Sequence, residues 1–424
     1  MAFETICVLG LGYIGLPTAS TFATAGYKVV GVDTNPSIVY SLQKGELHIS
    51  EPGLSKLVKD AIQSKNLAIS SSPILADAFI IAVPTPFYDQ KKADLTFVRS
   101  AAESIVPFLR RGNLVVLEST SPPLTTNEVL VPILEKSGLK AGEDFNVVYS
   151  PERVLPGQIL RELIENARVI GGINADSAAA GKELYQIFVK GEIITTTATT
   201  AEMVKLMENT YRDINIAIAN EFARLADRFG IDVWEAIQIA NLHPRVKILN
   251  PGPGVGGHCI SVDPWFLVEA ATDITPLIRT ARQVNDEQPH FVVQKLNEIL
   301  GTLAGKKITA LGLAYKPDVD DLRESPAVEV VQALLAAGAD VTAFEPFKPG
   351  FSIKGIRMAS NLAEAISESD LLLLLVNHTQ LKVIDPGQIL EQTTARIVFD
   401  TVGGWNPQIW QDAGFEVHRL GRAD

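Results

Sequence analysis

The sequence predicts an α/β protein built on two doubly wound parallel sheets, joined by a helical region with a long central helix. Three observations carry this. Short apolar β-type runs alternate with helical segments through the first 200 residues or so. A glycine signature follows the first of those runs, and the same ordered pattern returns in the C-terminal third.

Thr5–Leu9 is the first apolar run, and Gly10-Leu11-Gly12-Tyr13-Ile14-Gly15 follows it directly. A helical stretch over 16–24 closes at Gly26, and Lys28–Val32 reads as a second strand ending at Asp33. Strand, glycine turn, helix, strand and acidic residue together give a Gly-x-Gly-x-x-Gly match its meaning. Residues 79–83, 114–117 and 146–149 continue the set, with helical segments between them, as in a Rossmann-like domain.

The C-terminal third repeats the theme. Gly312-Leu313-Ala314-Tyr315-Lys316-Pro317 aligns with the glycine turn, and Asp340-Val341-Thr342-Ala343-Phe344-Glu345 with residues 28–33. Ser369-Asp370 before 371–376 echoes Ala76-Asp77 before 79–83, and residues 396–401 echo 114–119. The second and third motif glycines have become Ala314 and Pro317, so the tight pyrophosphate turn is expected to be lost. Lys316 and Arg323 supply charge instead, and the two sheets should hold different ligands.

Between the sheets, residues 198–242 contain no proline and one glycine, Gly230. Met203, Leu206, Thr210, Ile214, Ala217, Ile218 and Leu225 keep helical spacing, which predicts the long connecting helix. That face is either intramolecular core or the contact surface of a homodimer, with higher oligomers open. The expected domains are 1–196, 197–300 and 301–424: a dinucleotide-binding domain, a central helical domain and the second Rossmann-like domain.

Composition excludes some classes. A net charge of −12 gives no basic field for nucleic acid or an anionic membrane surface, so neither partner is expected. The apolar run 371–376 is far too short to span a bilayer. Two cysteines in 424 residues argue against a disulfide framework, and the first residues carry no signal-peptide pattern; both fit a cytoplasmic protein. The six histidines show no paired ligand spacing, so no metal is expected.

Gly10, Gly12 and Gly15 let the backbone approach a pyrophosphate at the positive end of a helix. Asp33 lies where a carboxylate binds ribose hydroxyls and repels a 2′-phosphate, which predicts NAD rather than NADP. Cys7, inside the first strand, reads as a packed thiol. Cys259 lies in Gly252-Pro253-Gly254-Val255-Gly256-Gly257-His258-Cys259-Ile260-Ser261-Val262-Asp263, outside any apolar periodicity. A loop thiol beside backbone N–H groups is a candidate nucleophile. With a nicotinamide cofactor it points to oxidation through a thiohemiacetal and a thioester, taking an alcohol to the acid. Lys205 and Asn209 project from one helix face, which on spacing alone is more simply a solvated surface. Asp263, Glu152 and Thr120 are equally open, although Glu118-Ser119-Thr120 follows a strand at the edge where doubly wound sheets place ligands. His258 reads as structural.

Taken together, several segments resemble the UDP-glucose/GDP-mannose dehydrogenase family over essentially the whole chain. They are residues 8–17, Ala82-Val83-Pro84-Thr85-Pro86, Ser150-Pro151-Glu152-Arg153, residues 201–211, Gly256-Gly257-His258-Cys259 with Asp263-Pro264, and Lys316-Pro317 through Arg323-Glu324-Ser325. Residues 152–157 and 243–246 are most similar to members acting on UDP-N-acetyl-D-mannosamine, ahead of UDP-glucose, UDP-N-acetylglucosamine or GDP-mannose. Thr34-Asn35-Pro36-Ser37-Ile38 departs from members with a lysine just after the acidic residue, which touches adenosine binding and not NAD use.

The resemblance implies that the C-terminal domain binds a UDP-sugar and that its 6-hydroxyl is oxidised, with Cys259 capturing the aldehyde. Lys205 and Asn209 would stabilise oxyanions, and Asp263 would move protons or place Lys205. Thr120 and Glu152 would order and activate water, Glu152 for thioester hydrolysis. Tyr13, Ile14, Thr85, Thr120 and Arg323 join the three glycines and Asp33 at the cofactor. Arg153, Val154, Leu155, Lys205, Asn209, Gly256 and Lys316 face the substrate, and Arg245 reaches the sugar of a neighbouring subunit. Two other classes share the cofactor signature: a two-electron hydroxyacid dehydrogenase, which needs no cysteine, and a silent sensor. Cys259, Lys205, Asn209 and Asp263 together argue against the sensor.

Overall fold

A computed structural model describes residues 3–49, 51–87 and 91–422. The chain forms two compact units, Met1–Glu208 with Trp265–Thr272 and Asn209–Pro264 with Asp273–Asp424.

The first unit is built on eight strands: β1 (Thr5–Leu9), β2 (Lys28–Val32), β3 (Leu67–Ser70), β4 (Ala78–Ile81), β5 (Leu114–Leu117), β6 (Asn146–Tyr149), β7 (Arg168–Gly172) and β8 (Ile193–Thr197). Their order is β3-β2-β1-β4-β5-β6-β7-β8. Successive side chains of a strand point to opposite faces, so Ile6 and Val8 pack with Phe22, Ile80 and Val116 on one side. Cys7 and Leu9 pack with Phe79, Ile81, Val115 and Leu117 on the other. Both faces are covered, which is why these strands read as continuous apolar runs.

One strand departs from the expected parallel arrangement. β7 runs antiparallel to β6, with Val148 opposite Gly172 and Tyr149 opposite Gly171. A parallel return would have to cross the sheet to its far edge. Instead the helix Ile159–Glu165 turns the chain at the edge where β6 ends. β8 then pairs in parallel with β7.

The second unit contains β9 (Lys307–Leu311), β10 (Asp340–Phe344), β11 (Arg357–Met358), β12 (Leu371–Leu374), β13 (Ile397–Asp400) and β14 (Glu416–Arg419). All its pairings are parallel, in the order β11-β10-β9-β12-β13-β14. β9 lies between β10 and β12 as β1 lies between β2 and β4, so the internal echo is a repeated architecture.

The long helix spans Ala198–Phe229, shorter than the 198–242 stretch. Gly230 at φ +71° ends it, because a left-handed residue stops the helical hydrogen-bond ladder. Asp232 then caps the next helix, Val233–Ala240, accepting from the Trp234 and Glu235 N–H groups. Among the described residues no helix is long and apolar enough to cross a membrane.

Candidate functional site

In the first unit, the turn after β1 shows why each motif position is glycine. Gly10 adopts φ +91°, and a Cβ there would lie 2.6 Å from the Ala82 carbonyl oxygen. A Cβ on Gly15 would lie 1.8 Å from the Gly10 carbonyl oxygen, so this glycine seats the helix Gly15–Thr24 against the turn. A Cβ on Gly12 would meet nothing within 4 Å. Gly12 therefore guards open space above the turn, as a cradle for a pyrophosphate requires. No acidic residue occupies the first turn of the helix, so nothing there repels an anion. Half-buried Tyr13 and Ile14 complete the turn, and half-buried Thr85 follows β4.

Asp33, at the end of β2, accepts hydrogen bonds from the Leu11 N–H at 3.0 Å and the Asn35 N–H at 2.9 Å. These bonds orient its carboxylate beside the turn. His48, which the motif reading missed, is partnered by the Leu11 backbone near Asp33. Burial lowers its pKa, against the opposing pull of Asp33 and Leu11. The residues present fit a dinucleotide with free ribose hydroxyls.

The carboxyl edge of the same sheet carries a buried charge cluster. The Arg168 guanidinium donates to Glu118 at 2.5 Å, Glu152 at 2.8 Å and the Ser150 hydroxyl at 2.9 Å. The Tyr185 hydroxyl donates to Glu118 at 2.5 Å, and the guanidinium lies 3.9 Å from the Tyr185 ring centroid. The Arg153 N–H donates to the other Glu152 oxygen at 2.7 Å. Burial pushes the Glu118 carboxyl up to about 7, although Arg168 opposes it. Half-buried Thr120 follows Glu118 on the same edge. The loop after it is tied to the long helix: buried Glu202 accepts from the Leu124 and Thr126 N–H groups and the Thr126 hydroxyl. Lys205, three residues along that helix, is 8% exposed, so the solvated-surface reading fails for it.

The loop 151–158 is held from three sides. Glu51 accepts from the Gly157 and Ile159 N–H groups at 2.8 Å, and Glu162 from the Leu155 N–H at 2.7 Å. Arg153 is ion-paired with Glu208 at 2.6 Å and donates to the Ala167 carbonyl, so much of its donor capacity is spent locally. Val154 packs on the sheet core, while Leu155 is 50% exposed. Of this apparatus, sequence reasoning found Glu152 and the loop but missed Glu51, Arg168, Tyr185 and Glu202. Its one available signal was the charged residue at the head of the apolar run Arg168-Val169-Ile170-Gly171-Gly172.

In the second unit, Cys259 is exposed, in contrast to Cys7, whose thiol burial pushes up to about 11. The Cys259 carbonyl accepts the Val262 and Asp263 N–H groups, so the loop turns directly into the helix Asp263–Ala270. Asp263 is 1% exposed, and the Asn209 amide donates to its carboxylate at 2.5 Å. The glycines before the cysteine are demanded by packing. A Cβ on Gly256 would lie 2.2 Å from the Glu324 carbonyl oxygen, and one on Gly257 2.7 Å from the Tyr315 ring. His258 lies 3.5 Å from Asp321, and Arg323 forks onto the same carboxylate at 2.9 and 2.7 Å. Burial would raise Asp321, but these hydrogen bonds outweigh it and hold the carboxyl well below the usual range. Lys316 lies over the Tyr315 ring, and Arg245 is exposed.

The second sheet has kept the first motif glycine and lost the cradle. Gly312 holds φ +84°, but Glu345 accepts from the Leu313 and Ala314 N–H groups at 2.7 and 2.9 Å. The Asp318 N–H donates to His378 Nδ1, so the imidazole proton sits on Nε2 and points at Glu345, 3.1 Å away. The turn's donors are thus already occupied by a side chain.

Comparison with known proteins agrees with this division. The family model for the UDP-glucose/GDP-mannose dehydrogenase NAD binding domain matches residues 4–189, its central domain 199–287 and its UDP binding domain 309–407. The chain is 52% identical to a UDP-N-acetyl-D-mannosamine dehydrogenase of Methanococcus maripaludis, over 99% of this chain and 97% of that protein. The solved UDP-D-ManNAc dehydrogenase of Pyrococcus horikoshii matches with TM-score 0.91 and 39% identity, covering 99% of this chain and 100% of that one. A UDP-glucose dehydrogenase of Pyrobaculum islandicum matches with TM-score 0.88 and 29% identity, covering 100% and 98%. With its NAD-type turn, its exposed loop cysteine and all three domain models in order, the chain belongs to the UDP-glucose/GDP-mannose dehydrogenase family.

Proposed function

We propose that this chain oxidises the 6-hydroxyl of UDP-N-acetyl-D-mannosamine to the uronate, consuming two NAD and one water. The carrying observation is exposed Cys259, on a glycine loop that leads into Asp263 with Asn209 bound to it. The half-identical relative acting on that sugar nucleotide supports the substrate. Residues 1–196 would hold NAD, 197–300 the cysteine loop, and 301–424 the UDP-sugar.

NAD, when bound, accepts the hydride at each oxidation. The Cys259 thiolate adds to the C6 aldehyde and gives a thiohemiacetal; loss of a second hydride leaves a thioester, and water releases the thiol and the carboxylate. Lys205 and Asn209 stabilise the oxyanions, Asp263 orients Asn209 and moves protons, and Thr120 places water that Glu152 deprotonates. Tyr13, Ile14, Thr85 and Arg323 line the cofactor. Arg153, Val154, Leu155, Gly256 and Lys316 contact the sugar nucleotide, and Arg245 reaches the substrate of a neighbouring subunit.

The homodimer forms through the long helix, with higher assembly open. Tyr211, Ile218, Phe222, Leu225 and Phe229 support this: they repeat at seven-, four- and three-residue spacing and are 39–69% exposed. The acidic composition and scarce cysteine favour the cytoplasm. A second reading, the same chemistry on UDP-glucose, is favoured by the Pyrobaculum likeness.

The test counts NADH formed per UDP-N-acetylmannosamine consumed, for the wild type and Cys259→Ala. Two NADH, with no uronate from the variant, supports the thioester route. One NADH, or a variant that still makes the acid, overturns it. Turnover of UDP-glucose alone establishes the second reading.

A further inference from the structure

The cluster at the carboxyl edge of the first sheet does more than fill space. Glu118, Arg168 and Glu152 have side chains 0%, 5% and 9% exposed, so each ion has left water and depends on the others for its solvation. Two carboxylates share one guanidinium, and Nη1 and Nη2 are assigned to different partners. Glu152 is bound from one side by that guanidinium and from the other by its neighbour's N–H. The second oxygen of Glu118 is buried without a hydrogen-bond partner among the described residues. The groups facing Glu118 are Arg168 from β7, Glu152 from the segment after β6 and Tyr185 from the helix Ala175–Tyr185.

We propose that Glu118 is a positioning residue which, through Arg168, sets how strongly the guanidinium holds Glu152 and hence the basicity of Glu152. This rests on the reading of Glu152 as the group that activates water for thioester hydrolysis. When Glu118 is neutral, Arg168 is left with Glu152 as its counter-ion among the described residues, and the guanidinium holds the Glu152 carboxylate tightly. When Glu118 ionises, the guanidinium is shared and Glu152 is released to act as a base. Burial raises the pH of that ionisation to near neutrality; Arg168 and the Tyr185 hydroxyl favour the ionised form and pull it down, while the charge of Glu152 pushes it up. Tyr185 stabilises the ionised form by donating to it, so removing its hydroxyl raises the pH at which Glu118 ionises. The geometry depends on the reversal of β7: continued by three residues, the β6–β7 register sets position 168 opposite position 152. A parallel β7 would begin at the other edge of the sheet.

The experiment follows the Cys259 adduct by acid quench and intact mass spectrometry after mixing enzyme with NAD and UDP-N-acetylmannosamine, from pH 5.5 to 9. In the wild type the thioester decay rate should step upward near neutral pH. Glu118→Gln, a neutral isostere, should remove the step: decay several-fold slower than wild type at pH 8.5, matching it below pH 6, with KM for the sugar nucleotide unchanged. Tyr185→Phe should keep the step and move it to higher pH. Superimposable pH profiles for wild type and Glu118→Gln at equal Tm overturn the coupling, as does an unmoved step in Tyr185→Phe should Glu118→Gln not fold. Glu152→Gln separates the two ideas. If it traps the thioester while Glu118→Gln behaves as wild type, the coupling alone fails; if it hydrolyses normally, the role of Glu152 fails and the coupling with it.

Discussion

Gly12 and Gly15 look equivalent in the motif, yet the structure gives them different work. A Cβ at Gly15 strikes backbone at 1.8 Å, while one at Gly12 enters open space. Gly15→Ala should therefore destabilise the first unit by at least about 1–3 kcal/mol. Gly12→Ala should leave the denaturation midpoint unchanged and weaken NAD at least about ten-fold, or roughly 1.4 kcal/mol. Urea titration with calorimetry separates the two; equal loss of stability in both would refute the assignment. At this scale the legible residues were those whose chemistry lies in a contiguous motif: the glycines, Asp33, and Cys259 with Asp263. Arg168 and Tyr185 were not legible, because their partner Glu118 lies 50 and 67 residues away and only the pairing of strands brings them together. Glu51 was hidden likewise, since its acceptors serve N–H groups more than a hundred residues later.

At the scale of the element, the long helix shows the limit of periodicity. Leu206 and Ala217 are buried, but Ile218 and Leu225, which share the same helical spacing, are 39% and 45% exposed. Spacing identifies an apolar face and cannot say which stripe of it meets the protein's own core. Gly230 was visible as the sole glycine, but its left-handed conformation, which ends the helix before residue 242, depends on the turn it enters. If the exposed stripe is the contact between two copies, Leu225→Glu should convert the dimer to a monomer by light scattering. It should leave the circular dichroism spectrum unchanged, since the side chain packs little in its own chain. A dimer of unchanged affinity would remove this helix from the interface.

For the whole molecule, the repeat of architecture was legible and the divergence of its ligand chemistry only partly so. The loss of two glycines was plain in Ala314 and Pro317, but the Glu345–His378 arrangement that occupies the turn's donors was not. Burial would raise Glu345, and the hydrogen bonds from His378 and the backbone instead hold its carboxyl below the usual range. It therefore remains an anion bound to the Leu313 and Ala314 N–H groups of the turn, which a pyrophosphate would have to displace. Calorimetry should accordingly find one NAD per chain, and Gly12→Ala should weaken that event while leaving UDP binding as in the wild type. Two NAD per chain would refute the occupied turn.

The reversed strand has a consequence for how this protein can be changed. Ser150 and Arg168 stand at the two ends of the segment 151–167 and touch through a single hydrogen bond of 2.9 Å. The segment, which includes Leu155 and the helix Ile159–Glu165, thus leaves and re-enters the sheet at one place. It is a cassette: a loop and helix from a relative with another sugar preference can be grafted between fixed endpoints without altering the length of any strand.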